Sequence, residues 1–249
     1  MFDPVARRLA ASGRFRPVGV DLRGHGGTDA PAVADGVYGY AALATDVIAI
    51  VDALGITRCA VVGESLGGGV AVVVDKLRPG LIRRVMLCEA VARPVPDAPV
   101  DPSQNHMAVG ARRRKAVWPS REAMIASYGA RSPLNELAPE ALAAYVRWGT
   151  VERDDGGVEL ACPPEVEATL FEASAWDGGA PLAWDHLDAL SASAVVLAGA
   201  TSWLPREWFE EQARRAAAPF HVVDGGHFFL QEDTAHGVEL IGRFLDHGA

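Results

Sequence analysis

Apolar and polar positions along this chain follow two periods that take turns. Residues 40–54 place Leu43, Val47, Ile50, Val51 and Leu54 at helical spacing, with Gly55 as a stop. Residues 2–12 read as a shorter helix. Between and after these lie compact apolar runs bounded by glycine or charge: 16–21 (RPVGVD), 59–63 (CAVVG), 84–89 (RVMLCE), 194–199 (AVVLAG) and 220–224 (FHVVD). Each is short and rich in β-branched residues, which predicts a buried strand. Residues 66–78 predict a helix stopped by Pro79 and Gly80, and 207–217 and 235–247 predict the last two helices. Strands that alternate with helices imply a parallel sheet covered on both faces. Reactive groups in such sheets gather at the carboxyl ends of the strands.

The alternation breaks between residues 92 and 188, a segment rich in proline, tryptophan and charge with helical pieces at 120–128 and 139–148. A break of this length predicts a cap (92–188) over the strand ends, set between two core parts, 1–91 and 189–249. A surface elaboration with no role in binding is the other reading. Trp118, Trp148, Trp176 and Trp203 are candidate apolar lining, with ordinary packing open for each.

Composition narrows the picture. The chain has 249 residues, 49% hydrophobic and 22% charged, which suits one globular domain with an inserted lobe. A net charge of -9 argues against a nucleic-acid partner, and the short run Arg112 to Lys115 predicts a solvated helix face. Cys59, Cys88 and Cys162 are an odd number without a CxxC, and two lie in apolar runs, so a cytoplasmic location is expected. No apolar run reaches the length of a membrane span, and the start lacks the apolar stretch of a signal peptide. No HxxxH and no grouped His and Cys imply no metal, and RGHGG lacks the spacing of a dinucleotide fingerprint, so no cofactor is expected.

The chemistry concentrates in VVGESLGGGVAVVV, residues 61–74. Gly63-Glu64-Ser65-Leu66-Gly67 is a Gly-x-Ser-x-Gly pattern between a predicted strand and a predicted helix, the context of a nucleophile elbow. Gly63 and Gly67 would remove side chains that clash in so sharp a turn. A glycine-rich packing turn with a bystander serine is the alternative. A serine hydroxyl needs a base to take its proton, most often histidine. His227 follows the strand at 220–224 in DGGHFFLQED, where a base should hang. His25 in the RGHG turn reads as structural, and the remaining histidines sit in ordinary surface, helix or cap contexts.

DLRGHGGTDAP (21–31), GESLGGG (63–69) and GGHFFLQED (225–233), in this order, resemble the α/β-hydrolase superfamily from residue 3 to the end. The resemblance implies an α/β-hydrolase fold with a helical cap and a serine hydrolase of the esterase type. Most members carry an aspartate shortly after their seventh strand; here that position reads Gly199-Ala200-Thr201-Ser202. A branch of esterases and the haloalkane dehalogenases place the acid after the sixth strand instead. Cys88-Glu89-Ala90 matches that place, and CEAVARP resembles it, which implies Glu89 as the acid orienting His227. Asp224, or an incomplete triad with Glu89 capping a loop, are the rival readings. Ser65 stands where dehalogenases have an aspartate nucleophile, so the expected chemistry is acyl transfer.

The resemblance also implies the Leu66 backbone N–H as one oxyanion donor, with the second from a loop after the family's third strand. The family's first three strands have no counterpart in this sequence. An N-terminally truncated member is therefore expected, whose strand at 16–21 lacks a neighbour; a genuine short form is the alternative. The expected substrate is a carboxylic ester, thioester or lactone of a small apolar molecule. Acyl transfer, cofactor-free carbon–carbon hydrolysis and a catalytically silent binding protein are the alternatives.

Overall fold

A computed structural model of the chain describes residues 1–95, 105–175 and 178–246. It opens with α1 (Asp3–Ala11), α2 (Tyr40–Ala53), β1 (Cys59–Glu64), α3 (Leu66–Leu77) and β2 (Ile82–Cys88). An inserted segment follows, with α4 (His106–Arg112), β3 (Val117–Trp118), α5 (Arg121–Tyr128), α6 (Pro139–Trp148), β4 (Thr150–Glu152), β5 (Val158–Leu160), α7 (Pro164–Ala173) and α8 (Ala180–Trp184). The chain closes with β6 (Ser193–Gly199), α9 (Arg206–Arg215), β7 (Phe220–Val223), α10 (Phe229–Glu232) and α11 (Thr234–Asp246). No helix among the described residues is long and apolar enough to cross a membrane.

The main sheet runs β1-β2-β6-β7, every pair parallel. Its central strands, β2 and β6, bury both faces, while the edge strands β1 and β7 are partly exposed. Val85 and Leu87 of β2 pack with Tyr40, Leu43, Val73 and Phe209 of α2, α3 and α9. Met86 and Cys88 point the other way, into a cluster with Val5 and Leu9 of α1 and Ile241 of α11. Strands covered on both sides read as unbroken apolar runs, which made β2 and β6 visible in the sequence; β1 and β7 were visible as short β-branched runs ended by glycine or charge.

The fifth is a correction. Residues 16–21 form no strand; they run irregularly and largely exposed, with Val18 at 44%. A strand is made by its ladder partner, not by its own pattern. Among the described residues no strand lies outside β1, so this apolar alternation has nothing to pair with. The turn that follows is nonetheless held: Arg23 makes a double ion pair with Asp46 of α2, both bonds at 2.6 Å.

The inserted segment has a core of its own, which includes Trp118, Met124, Leu142, Val146, Val158 and Leu160. Its short antiparallel sheet, β3-β5-β4, escaped the sequence reading because strands of two and three residues carry no period. Trp118 is thus a core residue, Trp148 is 51% exposed, and Trp176 lies outside the described residues. In the basic run Arg112, Arg113 and Lys115 are exposed, as a solvated face should be, but Arg112 is ion-paired and Arg114 is partly buried. Arg112 bridges Glu165 and Glu172 at 2.8 and 2.7 Å. Arg114 meets Glu167 and the hydroxyls of Tyr128 and Tyr145. Helix α7 carries these three glutamates alongside, so the arginines staple the insert together. Its far end is tied to the core at buried Asp75 of α3. That carboxylate meets His186 Nε2 at 3.0 Å and accepts from the Ser191 N–H at 2.8 Å and the Ser191 hydroxyl at 2.6 Å.

Helix α3 packs close because three glycines follow Leu66 in its first turn. A Cβ on Gly68 would lie 2.5 Å from Ala90 Cβ, and one on Gly69 would lie 2.4 Å from the Tyr40 ring. Gly63 is as tight, 2.7 Å from Gly68 Cα, whereas a Cβ on Gly67 would meet nothing within 4 Å. The expectation that Gly67 relieves a clash is therefore corrected: the turn leaves that position pointing into open space. Gly67→Ala should leave the melting temperature unchanged or slightly raised, since alanine suits a helix better. Gly68→Ala should lower stability by about 2 kcal/mol or more through overpacking against Ala90. Thermal denaturation of the two variants side by side checks this, and equal effects would refute it.

Candidate active site

The carboxyl ends of the four parallel strands meet on one rim. At the end of β1 the chain turns at Ser65, which adopts φ 51° and ψ -121°. A non-glycine residue in this region is strained by about 1–3 kcal/mol and persists only when its surroundings hold it. Here they do: the Ser65 N–H donates to Cys88 O at 2.9 Å, and Ser65 O accepts from Val91 N–H at 2.9 Å. The strain lifts the serine side chain out of the sheet at the head of α3. The Leu66 N–H is among the first amides of that helix, which have no acceptor within it.

One strand over, β2 ends at Cys88 and Glu89 takes a second left-handed conformation, φ 48°. Its N–H donates to Leu197 O of β6 at 2.9 Å. The Glu89 side chain is fully buried, and its carboxylate is surrounded by donors. The Gly199 N–H donates to Oε1 at 2.8 Å, the Ser202 hydroxyl to Oε2 at 2.6 Å, and His227 Nδ1 meets Oε2 at 2.6 Å. The segment after Glu89 is fixed as well: Gln212 donates to Ala90 O and Ala92 O, and the Tyr40 hydroxyl to Val91 O.

His227 follows β7, so its loop must cross the end of β6 to reach Glu89. Gly199 allows the crossing, because a Cβ there would stand 2.1 Å from Gly226 O. The Glu232 carboxylate shapes the loop from the other side, accepting from the Gly226 N–H at 2.7 Å and the Phe228 N–H at 3.2 Å. The rings of Trp203 and Phe228 flank the imidazole at 4.7 and 4.8 Å between centroids. No hydrogen bond joins the Ser65 hydroxyl to His227 among the described residues.

Ser65 and Glu89 thus sit on neighbouring strand ends, and His227 reaches Glu89 across the end of β6 while Asp224 is exposed. Of the four tryptophans, Trp203 alone among the described residues stacks on His227. The sequence reading missed Ser202 and Glu232. Ser202 did carry a signal, as the serine in the place where an aspartate was expected.

Glu64, the residue before the serine, is a second buried carboxyl. It accepts from Gln231 Nε2 at 3.0 Å, while Glu64 Oε1 and Gln231 Oε1 are buried without a partner among the described residues. Burial pushes its pKa up to about 8, against the pull of the Gln231 bond and the N-terminal amine. A protonated Glu64 turns one of two orphaned acceptors into a donor and keeps a negative charge away from the serine. Burial likewise pushes the Cys88 thiol well above its ordinary range.

The sequence matches the Alpha/beta hydrolase family over residues 1–239. The crystal structure of E-2-(acetamidomethylene)succinate hydrolase superposes with a TM-score of 0.81 at 21% identity, over 98% of this chain and 86% of that one. A novel esterase from Mycobacterium tuberculosis gives a TM-score of 0.67 at 26% identity, over 91% and 73%. A 2-hydroxymuconate semialdehyde hydrolase of Pseudomonas putida is 37% identical over 76 residues, 30% of this chain and 26% of that protein. The chain spans 22% of the length of the first curated relatives it matches.

The Glu64 carboxyl predicts a pH dependence of stability. Unfolded, it ionises near its ordinary 4.5; folded, it keeps its proton to about 8. The folded state binds the extra proton across that window, so this group's contribution to stability falls as pH rises from 4.5 to 8. Glu64→Gln should therefore melt higher than the parent at pH 8, by roughly 5 °C or more, with the gap closing towards pH 5. Melting curves across this range test it; a gap independent of pH would refute it.

Proposed function

The chain belongs to the alpha/beta hydrolase family, and from that premise we propose that it is a serine hydrolase cleaving a carboxylic ester of a small apolar molecule through an acyl-Ser65 intermediate. The buried 2.6 Å contact between His227 Nδ1 and Glu89 carries this reading. A carboxylate on Nδ1 keeps the proton there and leaves Nε2 as the free-base nitrogen turned towards a nucleophile. His227 Nε2 takes the hydroxyl proton as Ser65 Oγ attacks the ester carbonyl. The Leu66 N–H, at the positive end of α3, stabilises the oxyanion. Collapse expels the alcohol, which leaves with the proton from His227. Water, activated by the same nitrogen, then hydrolyses the acyl-serine.

The esterase at 26% identity supports the choice of an ester. In this reading residues 92–188 are the cap, set between core parts 1–91 and 189–249. The contact between them at the histidine loop supports that role: Phe228 packs against the Trp118 cluster, and the Ala138 N–H donates to Gln231 O at 2.9 Å. Hydrolysis of a carbon–carbon bond on the same residues is the second reading, favoured by the likeness to the 2-hydroxymuconate semialdehyde hydrolase.

A fluorophosphonate should label the protein covalently, and Ser65→Ala should abolish labelling. Glu89→Gln should lower kcat for p-nitrophenyl butyrate by about 10³–10⁴, the scale on which a triad acid acts. Labelling that survives Ser65→Ala would move the nucleophile elsewhere. No labelling and no hydrolysis by the parent would favour a binding protein.

A further inference from the structure

On the acyl-Ser65 reading, we propose that Ser202 is a positioning residue whose hydroxyl fixes the Glu89 carboxylate for His227. Donor and acceptor accounting sets the direction of its bonds. The Ser202 oxygen accepts from the Leu204 N–H at 3.2 Å, an amide that can only donate. It stands 2.6 Å from Glu89 Oε2, an oxygen that can only accept when ionised. The single hydroxyl proton is therefore committed to Glu89.

That bond ends on the same oxygen that His227 Nδ1 meets, so two donors fix Oε2 while Gly199 N–H fixes Oε1. Glutamate needs this hold more than aspartate would, because it has one more torsion to lose. The loop is itself anchored, with Ala200 N–H donating to Val223 O at 2.8 Å and Thr201 N–H to Gly225 O at 2.9 Å. Its next residue, Trp203, lies against the imidazole ring. One short loop after β6 thus touches both the acid and the base. Serine at this position does not supply a carboxylate; it orients the one that β2 supplies.

The test compares the parent with Ser202→Ala and Ser202→Thr. Steady-state hydrolysis of p-nitrophenyl butyrate, thermal melting and the low-field proton signal of His227 Nδ1–H are read for each, the signal being identified by its loss in His227→Gln. Ser202→Ala should lower kcat about tenfold, the scale of one hydrogen bond to a charged group, with KM within about twofold. It should also shift the Nδ1 proton signal, and Ser202→Thr, which keeps the hydroxyl, should restore both. A folded Ser202→Ala with unchanged kcat and proton signal would overturn the proposal, as would a threonine variant that restores neither. If Ser202→Ala does not fold, Ser202→Cys, a weaker donor of similar shape, should give the same changes at smaller size. If the parent neither hydrolyses the ester nor is labelled at Ser65, the serine-hydrolase reading fails, while the proton signal still decides the role of Ser202.

Discussion

A carboxylate with no exposed surface is the constraint around which this molecule is arranged. An ion buried without partners costs several kcal/mol, so Glu89 is tolerable only where donors replace its water. Three do, and each comes from a different place: Gly199 at the end of β6, Ser202 in the loop beyond it, and His227 past β7. Satisfying one charge therefore requires three segments to converge. The register of the parallel sheet brings them together, with Cys88 beside Leu197 and Leu197 beside His221. The bare Gly199 then lets the histidine loop pass over the strand between.

The same rim carries two strained residues, Ser65 and Glu89, both at positive φ. Their strain is local, but what holds it is not. Ser65 is bonded to β2 and to the segment after it; Glu89 is bonded to β6. The glycine turn of α3 brings the helix against Ala90 and Tyr40, and Tyr40 and Gln212 secure the backbone from Ala90 to Ala92. Ser65 and Glu89 are thus fixed by the packing that stabilises the sheet, a rigid support of the kind that the proposed catalysis needs.

The inserted segment also enters this arrangement. Asp75 of α3 ties its far end through His186, and Phe228, next to His227, packs against its core. The histidine loop is accordingly held by Glu232 on its own side and by the insert on the other. The arginine staples to α7 keep the insert's helices together.

How much of this could be read from the chain depended on the range of each interaction. Local signals were legible: the four strands by their short apolar runs, α2 by its period, and the turn at Ser65 by glycines on either side of it. Glu89 and His227 were legible as positions at strand ends, and the resemblance of their surroundings joined them into one reading. Contacts between distant parts of the chain were not. Residues 16–21 have a strand's pattern, but a strand exists only beside another, and no other lies there. Gly67 looked like the crowded glycine, yet the close approaches fall on Gly63, Gly68 and Gly69, because crowding is set by what the helix packs against. The basic run is largely the solvent face it reads as, but that α7 brings three glutamates to Arg112 and Arg114 was not legible in it. Ser202 was noticed only as a missing acid. That it orients Glu89 follows from a distance across 113 residues of chain, which folding closes and the sequence does not contain.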